Sequence, residues 1–317
     1  MHPIRVGVAG VGHLGYHHAR NYAAIAGATL VGVVDFDPVR AQKASDDFGV
    51  PCFSSLDALI AAGVDAVSVS VPTSAHFEVA TRLIEAGSDV LVEKPLAAST
   101  GEAERMVALA QEHNRILQVG HIERFNGAVI ALFDAIKHPR FIECHRLSPY
   151  PNRGDDVSVV LDLMIHDLEI VLALDRSGVV SMDAVGVSVF SQHEDIANVR
   201  LRFASGCVAN LTCSRISVDR MRKIRIFEQD AYLSTDYSDQ EVLVYRKKPG
   251  APDSVQNPME LIAIEPLPVH RDEPLRRELE SFVTCVRDRV RPVVSGEDGL
   301  AALRLAEDIV AFIRQHN

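Results

Sequence analysis

A chain of 317 residues, 47% hydrophobic and 24% charged, has room for two domains of about 150 residues with sizeable cores, and this composition excludes a disordered chain. A net charge of -11 argues against non-specific affinity for nucleic acid, which comes from neutralising phosphates with a basic surface. No apolar run reaches the roughly 18 to 20 residues of a membrane-spanning helix, and the N-terminus enters an apolar strand at Ile4 without the pattern of a secretion signal, so a soluble, cytoplasmic protein is expected. Cys52, Cys144, Cys207, Cys213 and Cys285 are odd in number and scattered, with no C-x-x-C pair and no zinc-type spacing; free thiols and no metal are expected.

In chain order, Ile4 to Ala9 reads as a strand, Gly10 to Gly15 as a tight turn, the residues to about Ala26 as a helix and Thr29 to Val34 as a second strand: a βαβ unit. The short apolar runs Ala66–Val71, Asp89–Val92 and Ile116–Val119, separated by helical segments, read as buried parallel strands. Ser99-Thr100-Gly101-Glu102 is a capping box, and Gly87 closes a helix that begins near Ala75. After about Gly120 the grammar changes. A helical patch from about Asp156 to Leu174 precedes strands such as Val199–Phe203 and Ile224–Ile226, whose apolar residues fall on one face and arginines on the other. The expected architecture is therefore an α/β Rossmann dinucleotide-binding domain over residues 1–120, then an α+β domain over 121–317 with a largely antiparallel, open-faced sheet. That open face could bind a second subunit, giving a homodimer or homotetramer, or could simply be solvated. Lys247 to Pro268 reads as a surface excursion, followed by a helical end from about Pro274.

Gly10-Val11-Gly12-His13-Leu14-Gly15 is G-x-G-x-x-G at the junction of a first strand and a first helix. Glycines let the backbone turn sharply and approach a pyrophosphate, whose charge then meets free N–H groups at the positive helix end. Asp35 closes the second strand 20 residues after Gly15, where a carboxylate accepts hydrogen bonds from both ribose hydroxyls. Its charge repels a 2′-phosphate, so NAD is expected over NADP. Arg40 could offset that repulsion or be a solvated residue of the next helix.

Glu93-Lys94-Pro95 places Lys94 at the carboxyl edge of the sheet, where open α/β sheets bind ligands. A lysine there can donate a hydrogen bond to a substrate hydroxyl and stabilise a developing alkoxide; the plain alternative is a surface loop lysine. In Asp162-Leu163-Met164-Ile165-His166 the carboxylate and imidazole stand four apart, on one face of a helix. Such a pair can take a proton from an alcohol, but it is also common as a surface pair. Without a third ligand, metal binding there is not expected.

Together these motifs resemble the Gfo/Idh/MocA family of NAD(P)-dependent oxidoreductases across essentially the whole chain. The resemblance includes His18 after the glycine loop, Val71 to His76, Glu93-Lys94-Pro95, the Asp162/His166 helix and the ending Pro292 to Gly299. It implies that Lys94 positions the hydroxyl, His166 is the acid/base and Asp162 supports it, while Pro72, Thr73, His76 and Glu93 line the nicotinamide side. One departure is visible: many relatives carry small residues between the Asp and the His, where this chain has Leu163, Met164 and Ile165.

Gly120 to Asn126 and Arg153 to Asp167 narrow the resemblance to members that oxidise C3 of UDP-N-acetylglucosamine in lipid A precursor synthesis, upstream of a pyridoxal-phosphate aminotransferase. On that reading Arg124 and Arg153 are guanidinium forks for a diphosphate and Asn126 reads the sugar. Alternatively, Arg124 is an interdomain salt-bridge residue, Arg153 a loop arginine and Asn126 a helix cap. His121 is cofactor-proximal or structural. The functional rivals are a dehydrogenase of inositol or a free sugar, an NAD-dependent glycosidase without net redox change, and a sensor that binds NAD and turns over nothing.

Overall fold

The computed structural model describes residues 2–150, 157–248 and 261–316. They form two compact units: residues 1–125 with 273–303, and residues 126–272 with 304–317.

The first unit alternates strand and helix: β1 (Ile4–Ala9), α1 (His13–Ala24), β2 (Ala28–Val34), α2 (Pro38–Phe48), β3 (Cys52–Phe53), α3 (Leu56–Ala61), β4 (Ala66–Val69), α4 (Thr73–Glu85), β5 (Asp89–Glu93), α5 (Thr100–Glu112) and β6 (Leu117–Gly120). The six strands are all parallel in the order β3-β2-β1-β4-β5-β6, the dinucleotide-binding arrangement whose order reverses between β1 and β4. Helix starts follow local chemistry. Asp37 caps α2 by accepting from Val39 and Arg40 N–H, with Pro38 in its first turn. At α5, Ser99 accepts from Glu102 N–H at 3.3 Å, while the Glu102 carboxylate reaches back to Ala98 N–H at 3.2 Å, one residue before the cap itself. Gly87, at φ +87°, ends α4 by donating to Ile84 O.

The domain boundary expected at residue 120 requires correction. A 3-10 turn, Ile122–Phe125, and helix α8 (Pro274–Asp288) belong to the first unit, as does the start of α9 (Gly296–His316). The reason is burial: Leu275, Leu279, Phe282, Val283 and Val286 form one face of α8 and share a core with Val6, Val8, Tyr22 and Leu91.

The second unit contains α6 (Gly127–Ala135), β7 (Phe141–Leu147), a π-helical turn Val160–Met164, α7 (Ile165–Leu174), β8 (Val179–Val187), β9 (Ile196–Phe203), β10 (Val208–Ser214), β11 (Met221–Phe227), β12 (Ala231–Asp236), β13 (Glu241–Lys247) and β14 (Ile262–Pro266). Its eight strands run β14-β13-β12-β11-β7-β10-β9-β8, antiparallel except for β7 with β10. In β9 the alternation is complete: Ala197, Val199, Leu201 and Phe203 are buried, Asn198, Arg200 and Arg202 exposed. The exposed side carries cross-strand polar pairs, Arg200 to Asn210 and Arg225 to Glu143. It also carries an aromatic row, Phe141, Phe227, Tyr232 and Tyr245, with successive centroids 5.6, 4.7 and 4.8 Å apart. The excursion expected over Lys247 to Pro268 ends in a strand, because Ile262–Pro266 pairs with β13 as the sheet edge.

Candidate active site

Three loops meet at the carboxyl ends of the parallel strands. Gly10 has φ +84°, and a Cβ there would stand 2.7 Å from the backbone of Ser70 and Val71, so the turn after β1 packs against the one after β4. A Cβ on Gly15 would lie 1.8 Å from Gly10 O, which seats α1 tightly under the loop. Gly12 differs: its Cβ direction is open, with nothing nearer than Arg40 at 3.9 Å, and no side chain caps the helix that starts at exposed His13 and Leu14. A backbone open at the middle glycine, with uncapped helix N–H groups behind it, fits a dinucleotide pyrophosphate. Asp35 lies as expected at the end of β2. Its carboxylate accepts from Val11 N–H at 2.6 Å and Asp37 N–H at 2.9 Å. Exposed Arg40 forms an ion pair with Asp37 at 3.2 Å.

Lys94 is half-buried directly after β5. Its strand end is held from two sides. Pro72 starts α4 and Thr73 is its first residue; one turn in, buried His76 lies between Val71 O (3.0 Å) and Pro95 O (2.9 Å). Burial lowers the His76 pKa against the pull of those carbonyls, so the neutral ring donates to one of the two. This places His76 as a clamp between the α4 start and the lysine segment. Glu93, expected to line the cofactor, is instead turned into the core: Oε1 meets His18 Nε2 at 2.9 Å and Oε2 accepts from Lys94 N–H at 3.3 Å.

His121, fully buried after β6, has its pKa pulled down to about 3, first by burial and then by the charges of Lys94 and Arg124. The imidazole is therefore neutral at ordinary pH, and Lys94, His121 and half-buried Arg124 form one electrostatic group.

In the second unit, Asp162 and His166 are both half-buried, but the single α-helix expected from Asp156 to Leu174 is corrected: Asp162 stands in the π turn and His166 in the first turn of α7. The wider π turn changes the simple four-residue stacking between them. Asp156 and Arg153 lie outside the described residues. Asn126 is a helix cap: its oxygen accepts from Ala128 N–H at 3.0 Å, its amide donates to Tyr237 O at 3.2 Å, and it is buried. With both ends engaged, Asn126 is withdrawn as a substrate reader.

Sequence reasoning missed several buried charges. Arg146 forks onto Asp167 at 3.0 and 2.9 Å, beside His166 in the chain. Arg215, fully buried, binds Asp195 at 2.8 Å, Val157 O and Ser191 Oγ. Glu278 of α8 is buried with His18 and Glu93. The available signal was positional: Glu278 sits between Leu275 and Phe282 on the apolar stripe of its helix.

A parallel six-stranded sheet with a fitted glycine turn, an acidic residue ending β2 and a lysine after β5 defines an NAD-binding oxidoreductase. Family models match accordingly: the oxidoreductase family with NAD-binding Rossmann fold over residues 4–121, and the GFO/IDH/MocA C-terminal domain over residues 134–234. The chain belongs to the Gfo/Idh/MocA family and is an oxidoreductase with NAD as cofactor. It is 37% identical to the UDP-N-acetylglucosamine 3-dehydrogenase of Acidithiobacillus ferrooxidans, covering 98% of this chain and 99% of that one. It is also 27% identical to the scyllo-inositol 2-dehydrogenase (NAD(+)) of Bacillus subtilis, covering 96% and 92%. A solved structure of UDP-N-acetylglucosamine 3-dehydrogenase GnnA from A. ferrooxidans superposes with a TM-score of 0.92 at 35% identity, covering 99% of each chain. Among the described residues, no helix is long and apolar enough to cross a membrane.

Proposed function

We propose that this protein oxidises the C3 hydroxyl of UDP-N-acetylglucosamine to the ketone, with NAD preferred over NADP. The observation that carries the substrate is the 37% identity to an enzyme of that activity over nearly the whole of both chains. NAD bound at the glycine loop supplies the hydride acceptor. The chain's own residues do the rest. Gly10, Gly12, Gly15, His13 and Leu14 hold the pyrophosphate and Asp35 the ribose, while Pro72, Thr73 and His76 shape the nicotinamide side. Lys94 donates a hydrogen bond to the hydroxyl oxygen and stabilises the negative charge that develops there. His166, whose Nδ1 is buried, takes the hydroxyl proton at Nε2, and Asp162 supports the imidazolium. Arg124, which shares the electrostatic group of Lys94 and His121, supplies a guanidinium for the diphosphate, with Arg153 as a second.

On this reading the ketone passes to a pyridoxal-phosphate aminotransferase in cytoplasmic lipid A precursor synthesis. The aromatic row and polar pairs on the open sheet face support assembly into a homodimer or homotetramer. The test is NADH formation with UDP-N-acetylglucosamine, UDP-glucose, free N-acetylglucosamine and myo-inositol, with a glutamate-fed 3-aminotransferase to draw off the ketone. Signal with the first alone is expected. Signal only with a free polyol overturns the substrate, and free sugar released without NADH replaces the reading with a glycosidase.

A further inference from the structure

His18, Glu93 and Glu278 each offer a ligand atom within 4.8 Å of the others, and all three are buried. They come from α1, the end of β5 and α8. His18 Nε2 holds Oε1 of Glu93, and Oε2 of Glu93 accepts from the N–H of Lys94. The Glu93 carboxyl is pressed on Gly120, where a Cβ would stand 2.9 Å from it. Glu278 is different: neither of its carboxyl oxygens meets a hydrogen-bond partner among the described residues, and the residue is 0% exposed. Ionising Glu278 in this place is costly, because its charge would be desolvated and would stand beside a second carboxyl group.

The surrounding elements carry further charged or titratable groups: His13, Tyr16, His17, Arg20 and Tyr22 on α1, Asp89 on β5 and Lys94 after it, His121 after β6, Glu123 and Arg124 on the 3-10 turn, and Arg276, Arg277, Glu280, Cys285, Arg287 and Asp288 on α8 itself. Tyr22 is spent on Ser68 at 2.7 Å. Burial first, and Glu93 second, push the Glu278 carboxyl well above the ordinary range.

We infer that Glu278 carries a proton in the folded chain, and that this neutral carboxyl beside Glu93 is a positioning device for Lys94, setting the charge behind the strand end that carries it. With the proton in place Glu93 keeps its contact with His18 and its hydrogen bond from the Lys94 backbone N–H. Loss of the Glu278 proton at alkaline pH puts an unpartnered negative charge into the core beside Glu93 and disturbs that segment. The catalytic consequence rests on the role proposed for Lys94; the proton on Glu278 does not.

Three measurements test it. Infrared difference spectra of the wild-type protein between neutral and alkaline pH should show a carboxylic-acid C=O band that vanishes on deprotonation and is missing from Glu278→Gln; absence of the band overturns the proposal. The melting temperature of the wild type should fall with rising pH relative to Glu278→Gln, whose amide cannot ionise, and parallel curves overturn it. The alkaline limb of kcat should move by about one pH unit or more in Glu278→Gln, with KM for NAD little changed. An unmoved limb removes the positioning role. If the wild type turns over none of the sugars, the substrate reading fails while the first two measurements still decide the proton.

Discussion

The carboxylate of Asp35 accepts a hydrogen bond from the backbone N–H of Val11 at 2.6 Å, tying the end of the second strand to the glycine turn. The group proposed to recognise the ribose therefore also holds the loop proposed to receive the pyrophosphate. Asp35→Ala should weaken NAD at least about tenfold, or about 1.4 kcal/mol, and bring NADP toward parity as the repulsion of a 2′-phosphate is lifted. Steady-state KM values for both nucleotides check this, and an unchanged NAD:NADP ratio counts against the assignment.

The last and the middle glycine of the loop separate folding from binding. In Gly15→Ala the new methyl meets Gly10 O at 1.8 Å, so the loop must rearrange, lowering both the melting temperature and NAD affinity. In Gly12→Ala the methyl enters open space, so the melting temperature should hold while NAD affinity falls. Calorimetry with and without NAD distinguishes them; a Gly12→Ala protein that binds NAD normally would show that the space is not used.

Lys94→Met should lower kcat by about 10²- to 10³-fold, the effect of removing a donor to a developing oxyanion, while NAD still binds. His166→Asn should lower kcat by about 10²-fold or more and abolish the acid limb of its pH profile. Stopped-flow hydride transfer is the readout, and turnover within about tenfold of wild type sinks the role of the residue concerned.

His121 gives the protein a specific acid sensitivity. Its pKa is about 3 in the folded chain against an ordinary 6.5, so below pH 6.5 the unfolded chain binds a proton that the folded chain refuses. Stability must then fall as pH drops from 6.5 toward 3, by up to about 1.4 kcal/mol per pH unit. Urea unfolding of wild type against His121→Gln should show a difference that changes across that window and is flat above it. A pH-independent difference would remove the buried neutral imidazole.

Arg215 and Asp195 form a buried ion pair in the second unit. Burial alone would raise the Asp195 pKa, but the N–H groups of Val189, Phe190 and Ser191 and the guanidinium of Arg215 outweigh it and hold the carboxyl well below its usual range. Arg215→Met strands that charge and should cost about 3 to 5 kcal/mol in denaturant unfolding. A loss below about 1 kcal/mol, typical of an exposed pair, would contradict the burial.

What was legible in the sequence was whatever the backbone itself demands. The glycine turn, Asp35, the cap at Ser99 and the alternation of Val199 to Phe203 are local patterns with local causes, and each is realised. Long-range partners left no such trace. Glu278 lies on the apolar stripe between Leu275 and Phe282, which marks it as inward-facing, but its neighbours His18 on α1 and Glu93 on β5 are visible only in the fold. Arg146 falls on the buried face of β7 with Ile142 and Cys144, a place its charge argues against, and only the partner Asp167 explains why it is inside. The π turn at Val160–Met164 has no composition of its own, so the Asp162/His166 spacing read as plain helix.

The inclusion of α8 in the first core bears on how the chain is made. Val6, Val8 and Tyr22 leave the ribosome at the start of synthesis, but Leu275, Leu279 and Phe282, which complete their packing, emerge only after all of residues 126–272. The nucleotide-binding half therefore waits, with an apolar flank uncovered, while the second half is translated, and a nascent chain stalled before residue 273 exposes that flank to chaperones or to another unfinished copy.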